Sequence, residues 1–206
     1  SETLNNGGKV IIPAFSVGRT QLLVYTLHQL VDAGRLPDFP IFVDSPLSVN
    51  ATEVFRLHPE CFNRDIYTFL REKENPFGMD NLTYIRKASE SIKLNTLEGP
   101  AIIISSSGMC EAGRIRHHLK NNISDPNDLI LFVGYCAYNT LGAVIRAGID
   151  PVYIFGEPHE VKARVASFDG FSGHADRKEL GRYVESLTGD ITNIYVVPGE
   201  EDSSLP

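Results

Sequence analysis

Short unbroken apolar runs alternate with longer stretches whose apolar residues return every three or four positions. Val10-Ile11-Ile12-Pro13 follows a Gly7-Gly8 turn and reads as a short buried strand. Leu22, Leu23, Thr26, Leu27 and Leu30 then fall at helical spacing after Ser16-Val17-Gly18-Arg19-Thr20, with Gly34 as the stop. Pro40–Asp44 is the next strand, and Ser45-Pro46 opens a helix, because Ser caps well and Pro suits the first helical position. Ile66, Phe69 and Leu70 place a helix over Asn63–Lys73, followed by a strand at Leu82–Ile85 and a helix over Lys87–Leu97. Ala101-Ile102-Ile103-Ile104-Ser105 has no polar alternation, as expected of a strand covered on both faces of a parallel sheet. The pattern continues with a helix over Ala112–Asn121, a strand at Leu129–Val133, a helix over Thr140–Ala147 and a strand at Val152–Phe155. Glu160–Phe168 extends beyond it, a helix capped by Asp176 runs through Leu187, and Ile194–Val197 is strand-like. Strands and helices in alternation predict an α/β fold, a mostly parallel sheet with helices on both faces.

Loops after parallel strands carry the ligand sites of such sheets. Four stand out: Pro13–Arg19, Asp44-Ser45-Pro46, Ser105-Ser106-Ser107-Gly108 and Gly134-Tyr135. Each alone is ordinary turn chemistry. Neither GxGxxG nor GxxxxGK[ST] occurs, which argues against a nucleotide cofactor and leaves a small-molecule α/β domain using the Ser105–Gly108 loop as a weaker alternative. Near the end, Phe168-Asp169-Gly170-Phe171-Ser172-Gly173-His174-Ala175-Asp176 sets one histidine on a tight turn before a helix. His174 is a candidate general acid or base. Asp169 and Asp176 either orient it or cap the turn. His117 and His118 are adjacent on a helix and point about 100° apart, so they read as one exposed and one packed residue. His28, His58 and His159 have no partner at ligand spacing, and Asp44 reads as a loop-ordering carboxylate.

Composition narrows the classes. The 206 residues are 42% hydrophobic and 22% charged, enough for a real core. A net charge of −7 argues against broad nonspecific coating of nucleic acid and leaves room for a local basic cleft. Cys61, Cys110 and Cys136 form no CxxC pair and suggest a reducing, cytoplasmic setting. No apolar run approaches the ~20 residues of a membrane span, and the polar start Ser1–Asn6 shows no signal peptide. The first strand begins within ten residues of the start, so both ends read as cuts through a longer protein.

Taken in order, GGKVIIPAFSVGRTQ, FVDSPLS, SSSGMCEAGRIRHHL, LFVGYCAYNTLG, FSGHAD and YVVPGE resemble the β-CASP branch of the metallo-β-lactamase superfamily, the RNA-processing nucleases. The resemblance implies a β-CASP domain over 1–170 and, over 171–206, a returning, incomplete segment of the lactamase domain. It implies a zinc-dependent parent that hydrolyses phosphodiester bonds in single-stranded RNA, with the metal ligands mostly in a missing N-terminal half. His174 matches the histidine proposed to protonate the leaving group. Ser105, Ser106, Ser107, Gly108, Arg114 and Arg19 are the expected phosphate contacts, because hydroxyls and loop N–H groups donate and arginine donates bidentately. The histidine expected in a V-H-G-E-like string is Pro198 in Val197-Pro198-Gly199-Glu200, and proline offers no ligand atom. A noncatalytic relative that binds RNA or a protein partner is therefore the alternative. These residues by themselves are expected to hold no zinc and cleave nothing, and an exposed C-terminal strand could build a homodimer.

Overall fold

The computed structural model describes residues 1–73, 75–168, 170–171 and 175–195. They belong to two compact units, 1–172 and 173–206. The first unit opens with α1 (Glu2–Asn5) and continues β1 (Val10–Pro13), α2 (Arg19–Asp32), β2 (Ile41–Asp44), α3 (Pro46–Leu57), α4 (Arg64–Lys73), β3 (Leu82–Ile85) and α5 (Ala88–Leu94). It then runs through β4 (Ile102–Ser105), α6 (Ile115–Asn122), β5 (Leu129–Phe132), α7 (Leu141–Arg146), β6 (Val152–Ile154), β7 (Glu157–His159) and β8 (Arg164–Ser167). Six strands form one sheet in the order β3-β2-β4-β1-β5-β8, and every pair in it is parallel.

The unbroken apolar runs are explained by this sheet. Side chains along a strand alternate between faces. Ile11, Ile103 and Ile130 point into one core, while Val10, Ile12, Ile41, Val43, Ile102 and Ile104 point into the other. Registers Val10↔Ile102 and Ile11↔Ile103 keep each row on its own face. Burying one such side chain is worth roughly 1.5–3 kcal/mol, so a polar residue at any of these positions would be costly.

Strand order also sets which helices cover which face. From β1 the chain moves two places outward to β2 and one more to β3, then reverses to fill the gap at β4 and continues to β5 and β8. Right-handed crossovers put helices of the outward leg on one face and those of the return leg on the other. Leu23 and Val24 of α2 and Ile66 and Phe69 of α4 pack on the core of Val10, Ile12 and Ile104. Leu94 of α5, Ile115 and Leu119 of α6 and Ile145 of α7 pack on the core of Ile11, Ile103 and Ile130. The loops after β1 and β4 therefore diverge, which opens a crevice at the C-terminal ends of those neighbouring strands.

Some boundaries differ from expectation. The stretch Val152–Phe155 does not join the main sheet; β6 pairs antiparallel with β7 in a separate hairpin. Phe155 and Gly156, at φ 54 and 82, make the turn that folds it back. The strand that joins the sheet is β8, within the predicted Glu160–Phe168 extension. The helix expected from Ala112 begins only at Ile115, because Gly113 sits at φ 82. In the second unit α8 (Arg177–Ser186) is capped as expected: Glu179 N–H donates to Asp176 Oδ1 (2.8 Å) and Asp176 N–H to Glu179 Oε2 (2.9 Å). Ile194 and Tyr195 are not in a strand. Val196, Val197, Pro198, Asp169 and His174 lie outside the described residues.

Candidate functional site

The crevice at the strand ends is a cleft of about 390 Å³ whose lining includes Ser16, Ser45, Leu47, Ser106, Ser107 and Arg114. Its accessible lining is mainly apolar, and behind it lies a cluster of hydroxyls. Ser16 and Ser106 share a hydrogen bond of 2.7 Å, Ser106 donates to Ser45 Oγ at 3.2 Å, and Ser48 lies 3.3 Å from Ser106. They come from two loops and one helix start. Ser16 follows β1, Ser106 follows β4, and Ser45 caps α3 by accepting the Ser48 N–H at 3.2 Å. Pro46 takes the first position of that helix, where a missing N–H costs nothing. A hydroxyl both donates and accepts, so the cluster satisfies itself when empty and can turn its hydrogens toward an anion.

Beneath the floor lies Asp44, fully buried. Arg114 Nη1 donates to its Oδ1 at 2.6 Å, His118 Nε2 donates to its Oδ2 at 2.7 Å, and Ser91 Oγ donates to the same oxygen at 2.5 Å. Burial alone would raise the carboxyl; the bonds from His118, Ser91 and Arg114 outweigh it and hold Asp44 below the ordinary carboxylate range. Asp44 thus ties β2 to α5 and α6, and its charge is spent inside the protein. An anion in the cleft meets serines without meeting a free carboxylate at the floor.

The expected contacts separate in space. Ser106 and Ser107 line the cleft. Ser105 is buried and donates to the Asp44 carbonyl at 2.8 Å, which makes it a link between β4 and β2. Arg114 edges the cleft, but its guanidinium also donates to the carbonyls of Ile85 (3.4 Å) and Arg86 (2.8 Å). Gly108 is buried against Phe15, whose ring a Cβ there would meet at 3.1 Å. Arg19 is not among the lining residues; burial lowers its guanidinium pKa, and its Nε has no hydrogen-bond partner among the described residues. Ser16, Ser45 and Ser48 were not singled out as contacts in the sequence, although the loops carrying the first two were; the signal was a serine just after each strand. His118 is buried on Asp44, and His117 is exposed with its ring 4.7 Å from that of Phe155.

A zinc site needs about three or four converging ligands. Among the described residues no group of three His, Cys, Asp or Glu could hold a metal ion. Asp44 and His118 are closed off by Arg114 and Ser91, so these residues do not fit zinc.

A parallel sheet that reverses its winding and carries a cleft at the reversal defines an α/β domain with a crevice where such sheets bind ligands. The chain belongs to the β-CASP branch of the metallo-β-lactamase superfamily: the Beta-Casp domain family matches residues 20–145, and the Zn-dependent metallo-hydrolase RNA specificity domain matches 158–205. Ribonuclease TTHA0252 of Thermus thermophilus is 37% identical over 204 residues, 99% of this chain and 46% of that protein. The RNase J-like protein of Methanocaldococcus jannaschii is 35% identical over 205 residues, 100% of this chain and 46% of its own length. The transcription termination factor FttA of Pyrococcus abyssi is 34% identical over 210 residues, 99% of this chain and 32% of its own length. The chain spans less than half the length of these relatives.

Proposed function

We propose that this chain is the RNA-holding part of a metal-dependent RNA-processing nuclease, and that its serine cleft holds the phosphodiester backbone of single-stranded RNA. The observation that carries this is the hydroxyl cluster of Ser16, Ser45, Ser48 and Ser106 at the sheet's reversal, with the nearby carboxylate neutralised. Ser106, Ser107 and Ser16 donate to phosphate oxygens beside the edge of Arg114, whose charge is paired with Asp44. Similarity to ribonucleases supports the substrate class, and the name of the second matched family supports zinc. Zinc would be held mainly by residues of the longer protein, and His174 would supply the leaving-group proton. Free cysteines fit a reducing, cytoplasmic setting, and among the described residues no helix is long and apolar enough to cross a membrane.

Fluorescence anisotropy with a labelled single-stranded RNA tests the cleft. The Ser16→Ala/Ser106→Ala pair should weaken binding about tenfold, at roughly 0.5–1.5 kcal/mol per lost hydrogen bond. Unchanged affinity would remove the cleft from the RNA path. Pro198 favours a second reading, a relative that binds without cutting. Cleavage of RNA by the whole zinc-loaded protein, abolished by His174→Ala, separates the two. The exposed Leu180, Tyr183, Ile191 and Ile194 would be covered by the rest of the longer protein or by a second copy, which sedimentation velocity distinguishes.

A further inference from the structure

The hydroxyls behind the cleft cannot tie their own loops together while they hold a ligand. Ser16 follows β1, and Ser45 and Ser48 open α3 after β2. β4 lies between those two strands, so no strand ladder joins the two segments directly. Several hydrogen bonds across the gap depend on the serine hydroxyls: Ser16 with Ser45 at 3.3 Å, Thr20 with Ser48 at 3.5 Å, and the bridge from Ser16 through Ser106 to Ser45. A serine hydroxyl has one proton. Once that proton turns toward an anion, it no longer holds its neighbour.

Gln21 spans the same gap by another route. It is the third residue of α2, only 1% exposed, and not among the residues lining the cleft. Its Nε2 lies 3.2 Å from the Ser16 carbonyl oxygen, 3.3 Å from that of Ser48 and 2.9 Å from Thr52 Oγ1. Thr52 in turn donates to the Ser48 carbonyl at 2.9 Å. Carbonyls only accept, so the NH₂ must face them; a flipped amide would set oxygen against oxygen. Oε1 is left buried with no hydrogen-bond partner among the described residues. The position therefore uses the amide for its donors alone, and does so despite the cost of an unmade acceptor. None of these bonds involves a serine hydroxyl. The side chains of the same two serines converge on Ser106 Oγ, 2.7 Å from Ser16 and 3.3 Å from Ser48.

We infer that Gln21 is the positioning residue of the cleft. It fixes Ser16 against the start of α3 through backbone carbonyls, which leaves the hydroxyls free to turn to a phosphate without letting the loops part. Gln21 touches no ligand; it preorganises the groups that do, and a site held in its bound geometry loses less binding energy to ordering. What the hydroxyls bind rests on the RNA-holding role proposed above, whereas the spacing of the loops does not.

The test removes the donors and keeps the bulk. Gln21→Met is made in the unaltered chain and in the Ser16→Ala/Ser106→Ala background, and RNA anisotropy is read where urea melts show every variant folded. Should the methionine variant not fold, Gln21→Asn serves, because its amide is one methylene too short to reach both carbonyls. In the unaltered chain the change should weaken RNA binding about fivefold. In the serine-deleted background it should change affinity less than about twofold, because the groups it positions are gone. A merely structural role would lower stability in both and leave the affinity of the folded protein alone. Equal losses in the two backgrounds, or no loss where the serine pair itself matters, would overturn the inference. Crystal structures give a reading without RNA. The loop after β1 should keep its place in the Ser16→Ala/Ser106→Ala protein and part from the start of α3 by about 1 Å or more once Gln21→Met is added, a misplacement that matters in a site. Loops unmoved in the triple variant would overturn the positioning role. Loops that part, in a protein whose serine pair has no effect on RNA, would leave Gln21 its role and remove RNA from the cleft.

Discussion

Replacing Asp44 by Asn should be the most damaging conservative change in the first unit. The carboxylate is fully buried and accepts from Arg114, His118 and Ser91 at 2.6, 2.7 and 2.5 Å. An amide of the same shape has one acceptor oxygen, so its NH₂ meets either Arg114, which can only donate, or His118 and Ser91, which must both reverse their hydrogen bonds to accept it. Arg114 then keeps its charge in a site where its side chain is only 19% exposed, without the partner that offset it. Breaking a buried pair from one side costs about 3–5 kcal/mol. With a urea m-value near 2 kcal/mol/M, the midpoint should fall by about 1.5–2.5 M. The dependence on pH carries a definite sign. The folded Asp44 pKa is depressed, so its stabilisation is present above the ordinary carboxylate pKa and disappears as pH falls through the lower folded value. Urea melts of the two proteins should therefore differ most near neutral pH and converge in acid. A loss under about 1 kcal/mol at pH 7 would refute the claim that this network anchors the site. So would a gap that persists unchanged to pH 2. A double-mutant cycle with Arg114→Met should show coupling above about 1 kcal/mol if the pair acts as one unit.

Two further outcomes follow from the same loops. Gly113→Ala forces a Cβ into the Ser106 carbonyl at φ 82, so Tm should drop by about 3–10 °C; an unchanged melt would mean that the loop relaxes freely. In native protein a thiol reagent at pH 8 should label Cys61, which is exposed, and spare Cys110 and Cys136, which are buried, with burial pushing the Cys110 thiol far above its usual range. Fast reaction of more than one thiol per chain without denaturant would contradict this packing.

The fold was legible where one residue type has one physical meaning. Runs such as Ile102-Ile103-Ile104 can only be strands covered on both faces, and Ser45-Pro46 can only start a helix cleanly. Phe155-Gly156 was harder: a left-handed turn at a non-glycine residue turns β6 back on β7, and periodicity carries no trace of that. The site was half legible. Serines after strands pointed to the loops that line the cleft, but apolar pattern does not tell which hydroxyl faces it. Ser105 and Ser106 are neighbours, and strand alternation buries one while presenting the other. Arg114 was expected as a phosphate contact, and its pairing with Asp44 was not foreseen because the two lie 70 positions apart in sequence. Pairing across such a distance depends on the strand order, which local sequence does not encode.

That strand order has a consequence for how the protein is made. β1 and β2 never touch; β4 is wedged between them and bonds to both. Synthesis delivers β1, β2 and β3 long before residue 102, and in that interval the only strand pair of the finished sheet that can form is β2 with β3. The serines at 16 and 45 lie 3.3 Å apart in the finished cleft, and the one at 106 bonds to both. β4 is thus a keystone laid late. Its arrival joins β1 to the β2–β3 pair and brings the three loops of the cleft together in one event, so the cleft has no half-formed precursor and only β5 and β8 remain to widen the sheet.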